Sequence, residues 1–100
     1  DYADAFEDDL IFKWDSQIGK GLDSSYMKDV LEAQRKHLFV KKSDAETSFY
    51  YMGQFDVLEA RNAHKEDNRG RMQPITKVTM KMHHAVREDL LRYLQSNITA

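Results

Sequence analysis

The sequence predicts an all-α fold, a small irregular four-helix bundle in one helical domain spanning residues 1–100. Three observations predict it. Apolar residues recur at three- and four-residue steps over most of the chain, the spacing that gathers side chains on one helix face. Residues suited to starting a helix stand at Ser24, Ser43 and Pro74. Turn formers are scarce, with one proline and four glycines, which favours long helices over a turn-rich β fold.

The first predicted helix covers residues 3–18. Tyr2, Phe6, Leu10, Trp14 and Ile18 fall every four residues, a row that drifts around a helix of 3.6 residues per turn. Asp1, Asp4, Asp8 and Asp15 lie on another face, and acids this early suit the positive end of the helix dipole. Such a stripe is either a solvated face or a mimic of a phosphate backbone, and the solvated face is the plainer reading. Gly19 and Gly21 offer the left-handed cap that ends the helix. The second predicted helix covers 24–40. Asp23 or Ser24 caps it, and Met27, Val30, Leu31, Gln34 and Leu38 run along it. Lys41 and Lys42 suit its negative end.

The third predicted helix, 44–66, is the centre of the bundle. Ser43 and Glu46 form the S-x-x-E capping box. Ala45, Phe49, Met52, Phe55 and Leu58 keep helical steps, with Gly53 in their midst at a cost of about 1 kcal/mol against Ala. Residues 65–73, KEDNRGRMQ, have no apolar period and form the longest loop. Pro74 fits the first position of the fourth helix, 74–96, where its missing N–H costs nothing. Ile75, Val78, Met82, Val86, Leu90 and Tyr93 continue it. Val78, Met80 and Met82 also alternate with Lys77, Thr79 and Lys81, as in a strand. The persistence of the longer period through Leu94 favours the helix.

The pentapeptide Asp29-Val30-Leu31-Glu32-Ala33 recurs as Asp56-Val57-Leu58-Glu59-Ala60, and a histidine, His37 or His64, follows each copy at the same distance. On helices each copy sets Val, Ala and His in one stripe. That is either a duplicated helix-pairing surface or, the plainer reading, a coincidental match between common helix formers.

Composition narrows the function. The chain is 41% apolar and 32% charged, globular rather than disordered. No run approaches the ~18 apolar residues of a membrane span. The absence of cysteine rules out disulfides, thiolate zinc sites and a thiol nucleophile. It fits a reducing, intracellular setting, the cytoplasm or an organelle matrix. A start at Asp1 suggests a processed or trimmed product. Asn97-Ile98-Thr99 matches a glycosylation sequon, which matters only in a secreted chain. Charge is uneven: residues 1–34 carry −6 and residues 35–100 carry +4. Such halves attract each other within a fold or orient a partner.

No metal, cofactor or catalytic constellation is expected. Glu32 and His37, like Glu59 and His64, stand five apart, which rotates the second side chain by about 140° on a helix. That breaks the Glu-x-x-His ligand pattern of helical metal sites. His84 and Glu88 supply two ligands, too few to define a site. There is no Gly-x-Ser-x-Gly and no phosphate loop. The sequence therefore favours a non-catalytic protein–protein interaction or assembly module: an adaptor, a regulator, a viral protein or a small subunit of a complex. Tyr50 and Tyr51 are its candidate partner-binding residues. Phe49, Met52 and Phe55 take the core positions, and a ring with a polar tip suits an interface. The partner is another protein or a second copy of the chain. The alternative is nucleic-acid binding through Arg61, Lys65, Arg69, Arg71, Lys77 and Lys81. Glu66, Asp67 and a sequence pI near 6.1 count against it.

Overall fold

The computed structural model describes residues 4–43 and 45–96, and it replaces the predicted helical bundle with a curled antiparallel sheet. The elements are β1 (Ala5–Phe6), β2 (Ile11–Asp15), α1 (Ser25–Glu32), β3 (His37–Val40), β4 (Tyr50–Glu66), β5 (Met72–Met82) and α2 (Glu88–Gln95). The sheet order is β1-β2-β5-β4-β3, every neighbouring pair antiparallel. Asp1, Tyr2, Asp44 and the Asn97–Thr99 sequon lie outside the described residues.

All four predicted helices need correction. The first, 3–18, gives way over residues 5–15 to the β1–β2 hairpin, whose turn is closed by Asp8: its carboxylate accepts from the N–H groups of Leu10 and Ile11 at 2.8 Å each. The second, 24–40, keeps only α1. Ser24 caps it, its hydroxyl accepting from the N–H of Met27 at 3.2 Å; the chain then turns into β3. The fourth, 74–96, is a strand as far as Met82 and a helix only from Glu88. Pro74 sits inside β5, where its carbonyl accepts from Gly19 at 2.8 Å and its missing N–H breaks nothing.

From Tyr50 onward the third predicted helix is the long strand β4, and two irregularities give its sequence a helical look. Leu38 pairs with Gly53 but Phe39 pairs with Tyr51, so one residue of β4 is extra there. Val57 pairs with Met80 but Glu59 with Thr79, so Leu58 is extra too. Each β-bulge inserts a step of three into a period of two. Inward positions therefore run Tyr50, Met52, Phe55, Val57, Ala60, which shares Met52–Phe55 with a helical pattern. Gly53 is no helix flaw; it takes the left-handed φ of +99° at the first bulge. Phe49 and Leu58, placed in the core by helical spacing, are 60% and 57% exposed. Ser43 caps no helix.

The repeated pentapeptide is the sharpest case. Its first copy lies in α1 and at its C-cap, Ala33; its second copy is bulged strand in β4. The echo is not a duplicated unit. Tertiary context overrides the shared propensity.

The core fills the concave side of the sheet. Phe6, Phe12, Leu38, Met52, Phe55, Val78, Met80 and Met82 meet there, sealed by Met27 of α1 and by Val86 ahead of α2. Leu90, Leu91 and Leu94 of α2 pack against the same cluster. α2 also ties the two ends of the sheet together. Gln95 Nε2 donates to the Phe6 carbonyl of β1 at 3.1 Å. Lys42, just after β3, donates to the carbonyls of Tyr93, Leu94 and Ser96. An ammonium at a helix C-terminus meets the last, otherwise unpaired carbonyls.

Among the described residues no helix is long and apolar enough to cross a membrane.

Candidate functional site

Strand alternation decides which side chains the convex face presents. Neighbours on a strand point to opposite faces, so Tyr50 and Tyr51 part company. Tyr50 turns inward and packs edge-on against Tyr93 of α2, ring centroids 5.9 Å apart. Tyr93 in turn donates its hydroxyl to Glu46 at 2.6 Å. That bond to a carboxylate, then burial and Tyr50, push the Tyr93 phenol well above its ordinary range. Tyr50 thus belongs to the seating of α2.

Tyr51 turns outward and is 53% exposed. Its ring lies 5.0 Å from that of Phe39 on β3 and 5.8 Å from the His37 ring, both tilted. Its hydroxyl meets His37 Nδ1 at 2.7 Å. Phe39 is 57% exposed. Nearby in sequence, Phe49 lies under the Lys41 ammonium, 4.8 Å from its ring centroid. Three rings from two strands thus form one fixed aromatic patch, bordered in sequence by Arg35, Lys36 and Lys41. Sequence reasoning named Tyr51 but missed Phe39 and His37. Their signal was present as an alternation, His37 and Phe39 out, Leu38 and Val40 in.

The convex face continues along β4 and β5 with charge. Arg61 stands across from Lys77, and Asp56 across from Lys81. Lys65 follows on the same face. Of the six basic candidates, these four are brought together. Part of this face's charge is answered locally. Lys77 Nζ lies 3.0 Å from both carboxylate oxygens of the buried Asp15, and Arg61 pairs with Glu59 at 3.4 Å. Asp56 pairs with His83 at 3.2 Å. Lys13, on the same face of β2, pairs with Glu7 at 3.7 Å. Acids thus interrupt the positive charge that this face offers a polyanion.

Arg69 and Arg71 stand apart, in the turn from β4 to β5. Asp67 organises that turn: its Oδ1 accepts from the N–H groups of Arg69 at 2.8 Å and Arg71 at 2.9 Å, and its Oδ2 from Gln73 Nε2 at 3.0 Å. Gly70 takes a φ of +75° there. The bond from Arg71, then those from Gln73 and Arg69, hold the Asp67 carboxyl below its ordinary value. A depressed carboxylate stabilises the fold above its unfolded pKa and loses that contribution as pH falls through the folded one. Stability is therefore expected to decline on acidification below about pH 4, and Asp67→Asn to decline less steeply. Denaturant midpoints of both proteins across this range test it. Burial shifts Asp4 the opposite way, so the difference between the two proteins, rather than either profile alone, isolates Asp67.

The sequence's metal candidates are dispersed. His84 lines a shallow depression with Asp56, Lys81, Met82 and His83, whereas Glu88 pairs with Arg92 on α2. Among the described residues no three His, Asp or Glu side chains are grouped to hold a metal.

No curated protein and no solved structure matches the chain. A family model described as Domain of unknown function (DUF3427) matches residues 1–94, and the chain belongs to that family.

Proposed function

We propose that this chain is a non-catalytic protein-binding module whose contact surface is the convex face of the β3–β4 pair. One observation carries the reading: the Tyr51 ring packs, tilted, against those of Phe39 and His37, and all three side chains are exposed. Aromatic side chains anchored in this way lose little conformational freedom on binding, and Tyr is enriched among the residues that dominate interface energy. The basic residues that border the patch in sequence favour a partner with an apolar centre and an acidic rim, the complement that steers encounter. A chain without cysteine suits an intracellular, cytoplasmic setting for that encounter.

The test uses the tagged chain to isolate its partner from source cells, followed by binding measurements with the purified pair. Tyr51→Ala and Phe39→Ala are expected to keep the fold, because both side chains are exposed, and to weaken binding by at least about thirtyfold as interface anchors. Asp89→Ala, remote on α2, serves as the control. Unchanged binding by both aromatic variants refutes the proposal. Binding of RNA or DNA that is lost in the Arg69→Ala, Arg71→Ala double variant replaces it with the nucleic-acid alternative.

A further inference from the structure

β4 outruns its neighbour on one side. β3 pairs only with residues 50–54, while β4 continues to Glu66. β5 fixes which backbone groups face the vacant side. The Pro74 carbonyl accepts from Gly19, and Thr76 exchanges bonds with Ser16: its carbonyl accepts from the Ser16 N–H at 2.9 Å and its N–H donates to the Ser16 hydroxyl at 2.8 Å. Both residues therefore bond away from β4. In an antiparallel ladder, residues opposite such positions bond outward in their turn. These are His64 and Asn62, and by alternation Ala60. Among the described residues no hydrogen bond reaches their backbones from the outer side. An open edge of this kind is a template for another strand.

We infer that a second copy of this chain occupies that edge, its own β4 running antiparallel, with a two-fold axis at Asn62. Charge selects both the occupant and the register. Outward-facing side chains along this stretch are Glu59, Arg61, Ala63 and Lys65. Centring the pair on Arg61 sets that arginine against itself. Centring it on Ala63 sets Arg61 against the second copy's Lys65. Centring it on Asn62 sets Glu59 against the second copy's Lys65, twice by symmetry, and Arg61 against the small Ala63. On the inner side Ala60 then faces the second copy's His64. This register has no like charges directly opposed and two favourable cross-strand pairs. Each Glu59, already paired with its own Arg61, and each Lys65, whose charge already acts on its own Asp4, become bridges between copies. The bulge at Leu58 ends the regular edge, which limits pairing to 59–65 and keeps the contact from sliding.

The interface is self-complementary and closes on two copies. It joins two sheets edge to edge with their convex faces on the same side, so the two aromatic patches lie on one surface. A partner with two matching sites then binds with avidity.

Sedimentation over a concentration series tests this on the full chain. The unmodified protein is expected to dimerise. Glu59→Lys or Lys65→Glu, each turning two attractive pairs repulsive, is expected to weaken dimerisation by on the order of tenfold to a hundredfold. The double exchange Glu59→Lys with Lys65→Glu restores the pairs and is expected to return the dimer to within about threefold of the original. His64→Pro removes an outward N–H that the folded monomer does not use; it is expected to stay folded by circular dichroism and to remain a monomer. A chain that is monomeric throughout overturns the inference. So does a dimer that ignores both single charge changes, or one that the double exchange fails to restore.

Discussion

Met27→Ala is expected to lower the unfolding free energy by about 2–5 kcal/mol, the range for emptying a fully buried long apolar side chain. Met27 is 0% exposed and is the buried residue of α1. Its neighbours on that helix, Val30 and Leu31, are only partly covered. The helix is two turns long and could not persist alone; it holds its place over the sheet through this side chain and the Ser24 cap. Truncation removes the dispersion contacts and leaves a cavity between α1 and the strand residues. Urea unfolding followed by far-UV dichroism measures the loss, and a change under about 1 kcal/mol would show that the helix is seated by something else.

Lys77→Met is expected to cost on the order of 2–4 kcal/mol. The carboxylate of Asp15 is 8% exposed, and both of its oxygens rest on the Lys77 ammonium. Removing one partner of a buried pair leaves an uncompensated charge and typically costs about 3–5 kcal/mol. The lower figure reflects the side chain of Lys77 itself, which is 35% exposed and lets water approach. Converting both residues, Asp15→Asn with Lys77→Met, is expected to recover much of the loss because the Asp15 charge is then no longer stranded. A double-mutant cycle in urea reads the coupling. Additive effects would mean that the two groups act independently of their contact. Both variants change the basis on which the charged part of the convex face is held, while leaving Tyr51 and Phe39 in place.

What could be read from the residues divides along physical lines. Ser24 as a cap and the apolar character of Met27, Phe55, Val78 and Met82 depend on local chemistry, and both are found in the structure. The choice between helix and strand depended on period, and the period of β4 is corrupted by its two bulges. Nothing local distinguishes a step of three inserted by a bulge from one turn of a helix. In β5 the alternation of Val78, Met80 and Met82 with Lys77, Thr79 and Lys81 was legible. It was outweighed by the run of apolar residues toward Leu94, which in fact belongs to two elements separated at His83–Arg87. The candidate site was half legible for the same reason. Tyr51 stands out in any reading, but its companions Phe39 and His37 lie on another strand, and only the β3–β4 register brings them to it. Arg61, Lys65, Lys77 and Lys81 do gather, yet the acids that answer them, Asp15 above all, come from the far end of the sequence.

The placement of β2 beside β5 also sets the order in which the chain can assemble. β4 and β5 are joined by a five-residue turn, and their pairing needs only local closure. β2 pairs with β5 across most of the chain, Lys13 meeting Thr79 from 66 positions away. Closing so long a loop costs entropy before any contact returns it, and chains dominated by such pairings fold slowly. Until β2 arrives, Val78 and Met80 lie beside a vacant edge, and the interval before its docking is when the nascent sheet is most open to pairing with the wrong strand.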